Sequence, residues 1–147
     1  MNHNQTYLKK INHPTQSKWY IIDAKEKTLG RISTIIANTL RGKNTIDYTP
    51  NITNAIHVIV INSKLVKVTG QKTLQKLYKR HSGRPGGLKI ENFKDLQNRI
   101  PNRIIEKSVK GMLPKGALGR KLFTQLKVYE NTHHPHQAQK PDVITLN

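Results

Sequence analysis

Two short apolar runs with an amphipathic repeat between them dominate the first half of the chain. Residues 19–24 (WYIIDA) form an apolar run interrupted by one acid, the pattern of a buried strand. Thr28 then stands where a helix N-cap belongs, and Leu29, Ile32, Ile36 and Leu40 recur at spacings of three and four, with Ile35 widening the stripe. Arg31, Asn38 and Arg41 fall off that stripe, and Gly42 occupies the place of a left-handed C-cap. The spacing predicts a helix of about four turns. Residues 57–62 (HVIVIN) follow as a β-branched run, the pattern of a strand covered on both faces. Strand, helix and strand in this order predict a right-handed βαβ unit. The fold class expected is therefore α/β: a three-layer single domain with a central, mostly parallel sheet, a Rossmann-like βαβ core, basic loops and extended terminal arms.

The second half is less regular. Residues 66–68 (VKV) extend the sheet in this reading, before Gly70 turns the chain, and residues 74–81 (LQKLYKRH) alternate loosely as a strand or an arm. SGRPGGLK, with three glycines and a proline, reads either as a recognition loop or as the turn of a β-hairpin. Residues 93–100 and 103–109 predict two short helices separated by Pro101, the second burying Ile104, Ile105 and Val109 with Ile100 at its start. In VKGMLPKGALGRKLFTQLKVY, residues 109–129, Pro114 sets a turn and Leu118, Leu122, Phe123 and Leu126 recur at helical spacing. The tail after Tyr129, NTHHPHQAQKPDVITLN, is polar and is expected to lie on whatever the protein binds. The organisation expected is a polar arm over 1–18, an α/β domain over 19–130 and a polar tail over 131–147.

Charge turns this outline into a functional class. The 147 residues carry 26 Lys and Arg against 8 acids, a formal net charge of +18. Between residues 60 and 130 the count is 17 cations against 4 acids, so that half is expected to carry the binding face. Such self-repulsion favours a polyanionic partner, nucleic acid before anionic membrane. No apolar run approaches the length of a membrane span, and the N-terminus has neither the apolar core of a secretory signal nor the arginine of a transit peptide. With no cysteine, disulfides and thiolate metal sites are excluded. The abundance of Lys, Ile and Asn is the bias that A+T-rich coding produces, as in an algal plastid genome or a low-G+C bacterium.

Catalytic readings find little to stand on. The first strand–helix turn, DAKEKTLGR, has one glycine rather than the three of a dinucleotide site, and no Walker phosphate loop occurs. Asp23 sits where an α/β enzyme keeps a catalytic acid, but nothing pairs with it in sequence, and bonding the following turn or a nearby lysine is the preferred role. His133, His134 and His136 lie together, yet Pro135 breaks their register and no carboxylate lies at a usual zinc-ligand spacing; phosphate or base contact is the preferred role. His57 reads as a packed histidine, and His81 as part of a basic cluster. No cofactor, metal or catalytic residue is expected.

Backbone recognition of folded RNA remains. Lys110, Lys115, Arg120, Lys121 and Lys127 accompany Gly111, Gly116 and Gly119 in an acid-free stretch, where cations and bare amides suit phosphate. Lys79, Arg80, His81 and Arg84 form a second group, flanked by Lys89, and Arg31, Arg41 and Lys43 a third. Lysine outnumbers arginine 19 to 7, which favours point-charge neutralisation of phosphates over bidentate base reading. Aromatic residues are too few and scattered for a single-strand stacking platform.

KGMLPKGALGRKLFTQLKVY resembles the signature of a family, the thirteenth protein of the bacterial-type large ribosomal subunit in its bacterial or organellar form. The resemblance continues through WYIIDAKEKTLGRISTIIANTLRGK, YTPN, VIVINSKLVKVTGQK, HSGRPGGLK and HHPHQAQKP, in order, from residue 19 to about 141. Arg84–Pro85 departs from it, being more basic than the family pattern, and the arm before Trp19 lies outside the match. The resemblance implies a structural, non-enzymatic constituent of the large subunit that binds large-subunit rRNA and takes part early in assembly. Its expected partners are that rRNA and neighbouring large-subunit proteins, with no membrane, no small-molecule substrate and no self-association. The expected location is the ribosome of an algal plastid, with a bacterial cytoplasm as the alternative. A free RNA-binding assembly factor and an RNA-processing enzyme on a Rossmann-like scaffold are the competing readings.

Overall fold

The computed structural model describes residues 17–46 and 48–145. Strand β1 (Lys18–Asp23), helix α1 (Leu29–Arg41) and strand β2 (Ile56–Ile61) form the expected unit, the two strands pairing in parallel from Lys18↔Ile56 to Asp23↔Ile61. Each apolar run lies one residue earlier than its pattern suggested. Helix α1 spans the predicted residues, and Gly42 ends it at φ 71°, its amide donating to the carbonyls of Asn38 and Thr39. Thr28 takes the extended N-cap conformation, although its hydroxyl makes no capping bond.

Downstream come α2 (Lys72–Gln75), β3 (Leu77–His81), β4 (Leu88–Asn92), α3 (Phe93–Arg99), α4 (Asn102–Met112), α5 (Ala117–Thr124), β5 (Leu126–Val128) and β6 (Asp142–Val143). The central sheet has the order β5-β2-β1-β6, and all its pairings are parallel. Strands β3 and β4 form a separate antiparallel hairpin. The arm before residue 17 lies outside the described residues.

Two expectations are corrected. Leu126 is not in the last helix. The helix closes at Thr124, and Leu126–Val128 runs as β5 along β2, from Val58↔Leu126 to Val60↔Val128. Leu126 is buried from either conformation, so its spacing alone did not distinguish them; the free edge of β2 supplies ladder bonds that a further helical turn would forgo. The segment around Val66 does not extend the sheet. It makes one bridge, Thr28↔Lys67, with the Leu29 amide on the Lys67 carbonyl at 2.8 Å and the Lys67 amide on the Lys27 carbonyl at 2.9 Å.

Strand alternation divides the sheet into two unlike faces. One carries Tyr20 and Ile22, then Ile56, Val58 and Val60, then Leu126 and Val128, and packs on Ile32, Ile36 and Leu40 of α1 and Ile104, Ile105 and Val109 of α4. Several of these side chains are wholly inaccessible to solvent, each worth about 1.5–3 kcal/mol by burial. The opposite face carries Trp19, His57 and Lys127 by register. On that face the His136 ring lies 5.1 Å from that of Trp19, and further on the chain joins the sheet edge as β6, the Ile144 amide donating to the Ile21 carbonyl at 2.9 Å. Helices, sheet and returning segment make the layers. The Gln97 side-chain amide, donating to the carbonyls of Lys64 and Val66, ties α3 to the loop after β2.

Candidate nucleic-acid interface

The glycine-rich stretch is built as the end of α4, a four-residue link, α5 and β5. Two of its three glycines are required by the backbone, each for a different reason. Gly116 adopts φ 136° and ψ −170°, a conformation that side chains resist. Gly119 is buried, and a Cβ there would overlap the carbonyl oxygen of Pro114, so the link passes directly over the helix. Gly111 sits inside α4 with an ordinary φ and open space around it, and neither reason applies. Leu122 fixes α5 to the core, with Leu118 and Phe123 partly buried against it. Lys115, Arg120 and Lys121 point to solvent, and among the described residues none of the three has a salt-bridge partner. The N-cap residue Gly116 makes no side-chain capping bond to the first turn of α5, beside which these cations stand. Lys110 is near by, its ammonium 5.8 Å from the centre of the Phe123 ring. Lys127 is elsewhere: it is half-buried on β5, on the opposite side of the sheet beside His57.

SGRPGGLK is the tip of the β3–β4 hairpin. The Ser82 amide donates to the Gly87 carbonyl at 3.2 Å and the Gly87 amide to the Arg84 carbonyl at 3.0 Å, while Gly83 and Gly86 take φ of 87° and 71°. Arg84 is exposed at the tip. His81 Nδ1 accepts the Gly83 amide at 2.9 Å, which leaves Nε2 as the imidazole's outward donor. Register separates the remaining cations: Lys79 and His81 share a face with Leu77, Leu88 and Ile90, whereas Arg80 shares the other with Tyr78, Lys89 and Glu91. That second face turns to the helices, Tyr78 standing 6.5 Å from Phe93 between ring centroids. Three helix cations that the sequence did not single out also belong here. Arg99, Arg103 and Lys107 line the same cleft as Arg80 and Lys89. Arg103 and Lys107 are four apart on α4, opposite its isoleucine stripe, and that spacing was the available signal.

The α1 group is dispersed. Arg31 is exposed near the start of the helix, Arg41 donates to the Tyr48 hydroxyl at 3.1 Å from its last turn, and Lys43 follows the C-cap. Ten residues of helix hold Arg31 about 15 Å from Arg41, so these are separate points of charge.

The candidate catalytic groups have structural partners. Asp23 Oδ1 accepts the Lys25 amide at 2.9 Å and the Asn62 side-chain amide at 2.8 Å, bonding the following turn and the end of β2. His57 stacks on Trp19, ring centroids 4.2 Å apart and planes within 11°. Burial pushes the His57 imidazole below its ordinary pKa, with the charges of Lys127 and His136 adding in the same direction. His136 Nε2 is bonded to the Tyr129 hydroxyl at 2.9 Å, and His134 Nδ1 accepts the His136 amide at 3.3 Å. Among the described residues no group of three or more His, Asp or Glu is placed to hold a metal ion.

The family model described as Ribosomal protein L13 matches residues 17–135. The chain is 66% identical over 138 residues to the large ribosomal subunit protein uL13c of Pyropia yezoensis, covering 94% of this chain and 96% of that protein. It is 58% identical over 145 residues to uL13c of Gracilaria tenuistipitata var. liui, covering 97% and 99%. With uL13 of the Picosynechococcus strain it shares 61% identity over 130 residues, covering 88% and 86%. On both the family match and the relatives, this chain belongs to the ribosomal protein L13 family.

Proposed function

We propose that this protein is a structural constituent of the large ribosomal subunit, that it binds folded large-subunit rRNA and contributes to early assembly of the subunit, and that it catalyses no reaction. The observation carrying the interface is the exposed, unpaired cation set Lys115, Arg120 and Lys121 beside the uncapped start of α5. Cations of this kind give affinity for phosphates irrespective of base sequence, and a rigid domain then selects the fold of the RNA. Lys110, Lys79, Arg80, His81, Arg84, Arg31, Arg41, Lys43 and Lys127 are proposed as further contacts. Their distribution over several faces suits a protein enclosed by RNA and neighbouring proteins as a single copy. The division into arm 1–18, domain 19–130 and tail 131–147 belongs to the same proposal, with the tail's strand β6 completing the domain's sheet.

The compartment proposed is an algal plastid. Support comes from the two uL13c relatives, which are red-algal plastid proteins, and from the Lys, Ile and Asn bias. The test is a sucrose gradient of lysate, run with and without a high-salt wash and read by quantitative mass spectrometry. One copy per large subunit that survives the wash is expected. Presence only on immature particles, or at the top of the gradient, would replace this reading with that of a free assembly factor. The same gradient on isolated plastids tests the compartment.

A further inference from the structure

Between the inward face of the β3–β4 hairpin and helices α3 and α4 lies a cleft of about 170 Å³. Arg80 and Lys89, directly opposite one another in the hairpin register, supply one wall. Arg99 from α3 and Arg103 and Lys107 from α4 supply the other. All five side chains belong to exposed residues, and the cleft also meets Lys79. Its one acid, Glu91, is already committed: Arg99 Nη2 donates to both its carboxylate oxygens, at 2.7 and 2.6 Å. Lys107 is held over the Tyr78 ring at 5.1 Å and reaches the Lys79 carbonyl at 3.4 Å, so its ammonium bridges the two walls. Folding therefore collects cations from residues 79 to 107 around one carboxylate. Their mutual repulsion works against this packing, and a bound anion would relieve it. Three of the chain's seven arginines line this cleft beside three of its nineteen lysines, and the guanidinium is the group that grips phosphate oxygens with paired donors.

We infer that this cleft is a phosphate-binding site, formed by Arg80, Lys89, Arg103 and Lys107 with Arg99 held in place by Glu91. The phosphate is that of an RNA backbone or of a free phosphate compound, and the RNA source rests on the ribosomal reading above. An RNA phosphate here pins the hairpin to α4 and fixes the direction of the exposed tip. The hairpin is then oriented by the RNA it binds.

The test compares full-length wild type with a cleft variant, R80Q/R103Q/K107Q, and a control variant, K115Q/R120Q/K121Q. Two readings are taken: the salt dependence of binding to a large-subunit rRNA transcript, and the thermal shift produced by inorganic pyrophosphate. The cleft variant is expected to lose the pyrophosphate shift that the control keeps, and its salt slope to fall by roughly 0.7–0.9 for each phosphate it no longer neutralises. Loss of the pyrophosphate shift with an unchanged RNA slope assigns the site to a free phosphate compound. Retention of both overturns the inference, whatever the control does. If wild type binds the transcript no better than unrelated RNA, the ribosomal reading fails, and the pyrophosphate arm still decides the cleft. A Glu91→Gln variant frees Arg99 and is expected to enlarge the pyrophosphate shift; a smaller shift counts against the site.

Discussion

Strands β2 and β3 have nearly the same length and opposite surroundings. β2 reads IHVIVI, and Val58, Ile59 and Val60 are completely buried between two partner strands, the helices and the returning C-terminal segment. β3 reads LYKRH, and only Tyr78 is partly covered. Its hairpin leaves Leu77, Leu88 and Ile90 about half exposed, at 49%, 53% and 50%. A two-stranded hairpin is marginal by itself in water. This one is held by Tyr78 against Phe93 and Lys107, and by the Glu91–Arg99 pair. The parallel sheet derives its stability from burial, whereas the hairpin turns its side chains outward. Burial is thereby concentrated in one part of the chain and exposed charge in another.

The largest expected effect separates the two regions. Ile105→Ala in α4 removes a fully buried side chain and is expected to cost about 2–5 kcal/mol in urea unfolding. Ile90→Ala on the outward hairpin face is expected to change the free protein by no more than about 0.5 kcal/mol. Comparable losses would mean that the hairpin is packed into the core in solution.

Glycines sharpen the contrast at the next level. Gly119→Ala forces a methyl against the Pro114 carbonyl and is expected to destabilise by about 1–3 kcal/mol. Gly111→Ala, within α4 and in open space, is expected to stabilise by up to about 1 kcal/mol. Thermal melts of the two single variants decide it, and the same sign for both would contradict the distinction.

The smallest effect concerns the sheet's second face. The folded protein holds His57 below its ordinary pKa, so the unfolded chain binds the proton more readily. The stabilising contribution is complete above the unfolded value near 6.5 and is lost as pH falls through the lower folded value. Melting temperature should therefore decline on acidification through this range, and less steeply in His57→Phe. Equal slopes would mean that His57 does not contribute to the acid sensitivity.

What the residues alone disclosed follows from how local each signal is. Helix α1 was legible to its last residue because a continuous stripe ended at a glycine, and β1 and β2 to within one residue because each is a short, mostly apolar run. Leu126 misled because a buried leucine after a helix satisfies helical spacing and the first position of a strand alike. Strand β6 covers two residues in a polar tail, too few for any alternation to appear. Lys115, Arg120 and Lys121 were singled out from the acid-free, glycine-rich stretch that holds them, and all three are exposed. Arg103 and Lys107 carried a helical spacing, but their meeting with Arg80 and Lys89 depends on how the hairpin lies against α4, a contact between distant residues that no local pattern encodes.

The outward cations after α4 are the contacts proposed for phosphates of the large-subunit rRNA. The salt dependence of binding to that transcript, compared between wild type and K115Q/R120Q/K121Q, tests the assignment without intermediaries. The expected slope for the variant is smaller by roughly 0.7–0.9 for each phosphate left unneutralised, with the melting temperature unchanged. An unchanged slope in a folded variant would contradict the assignment and move the binding face away from α5.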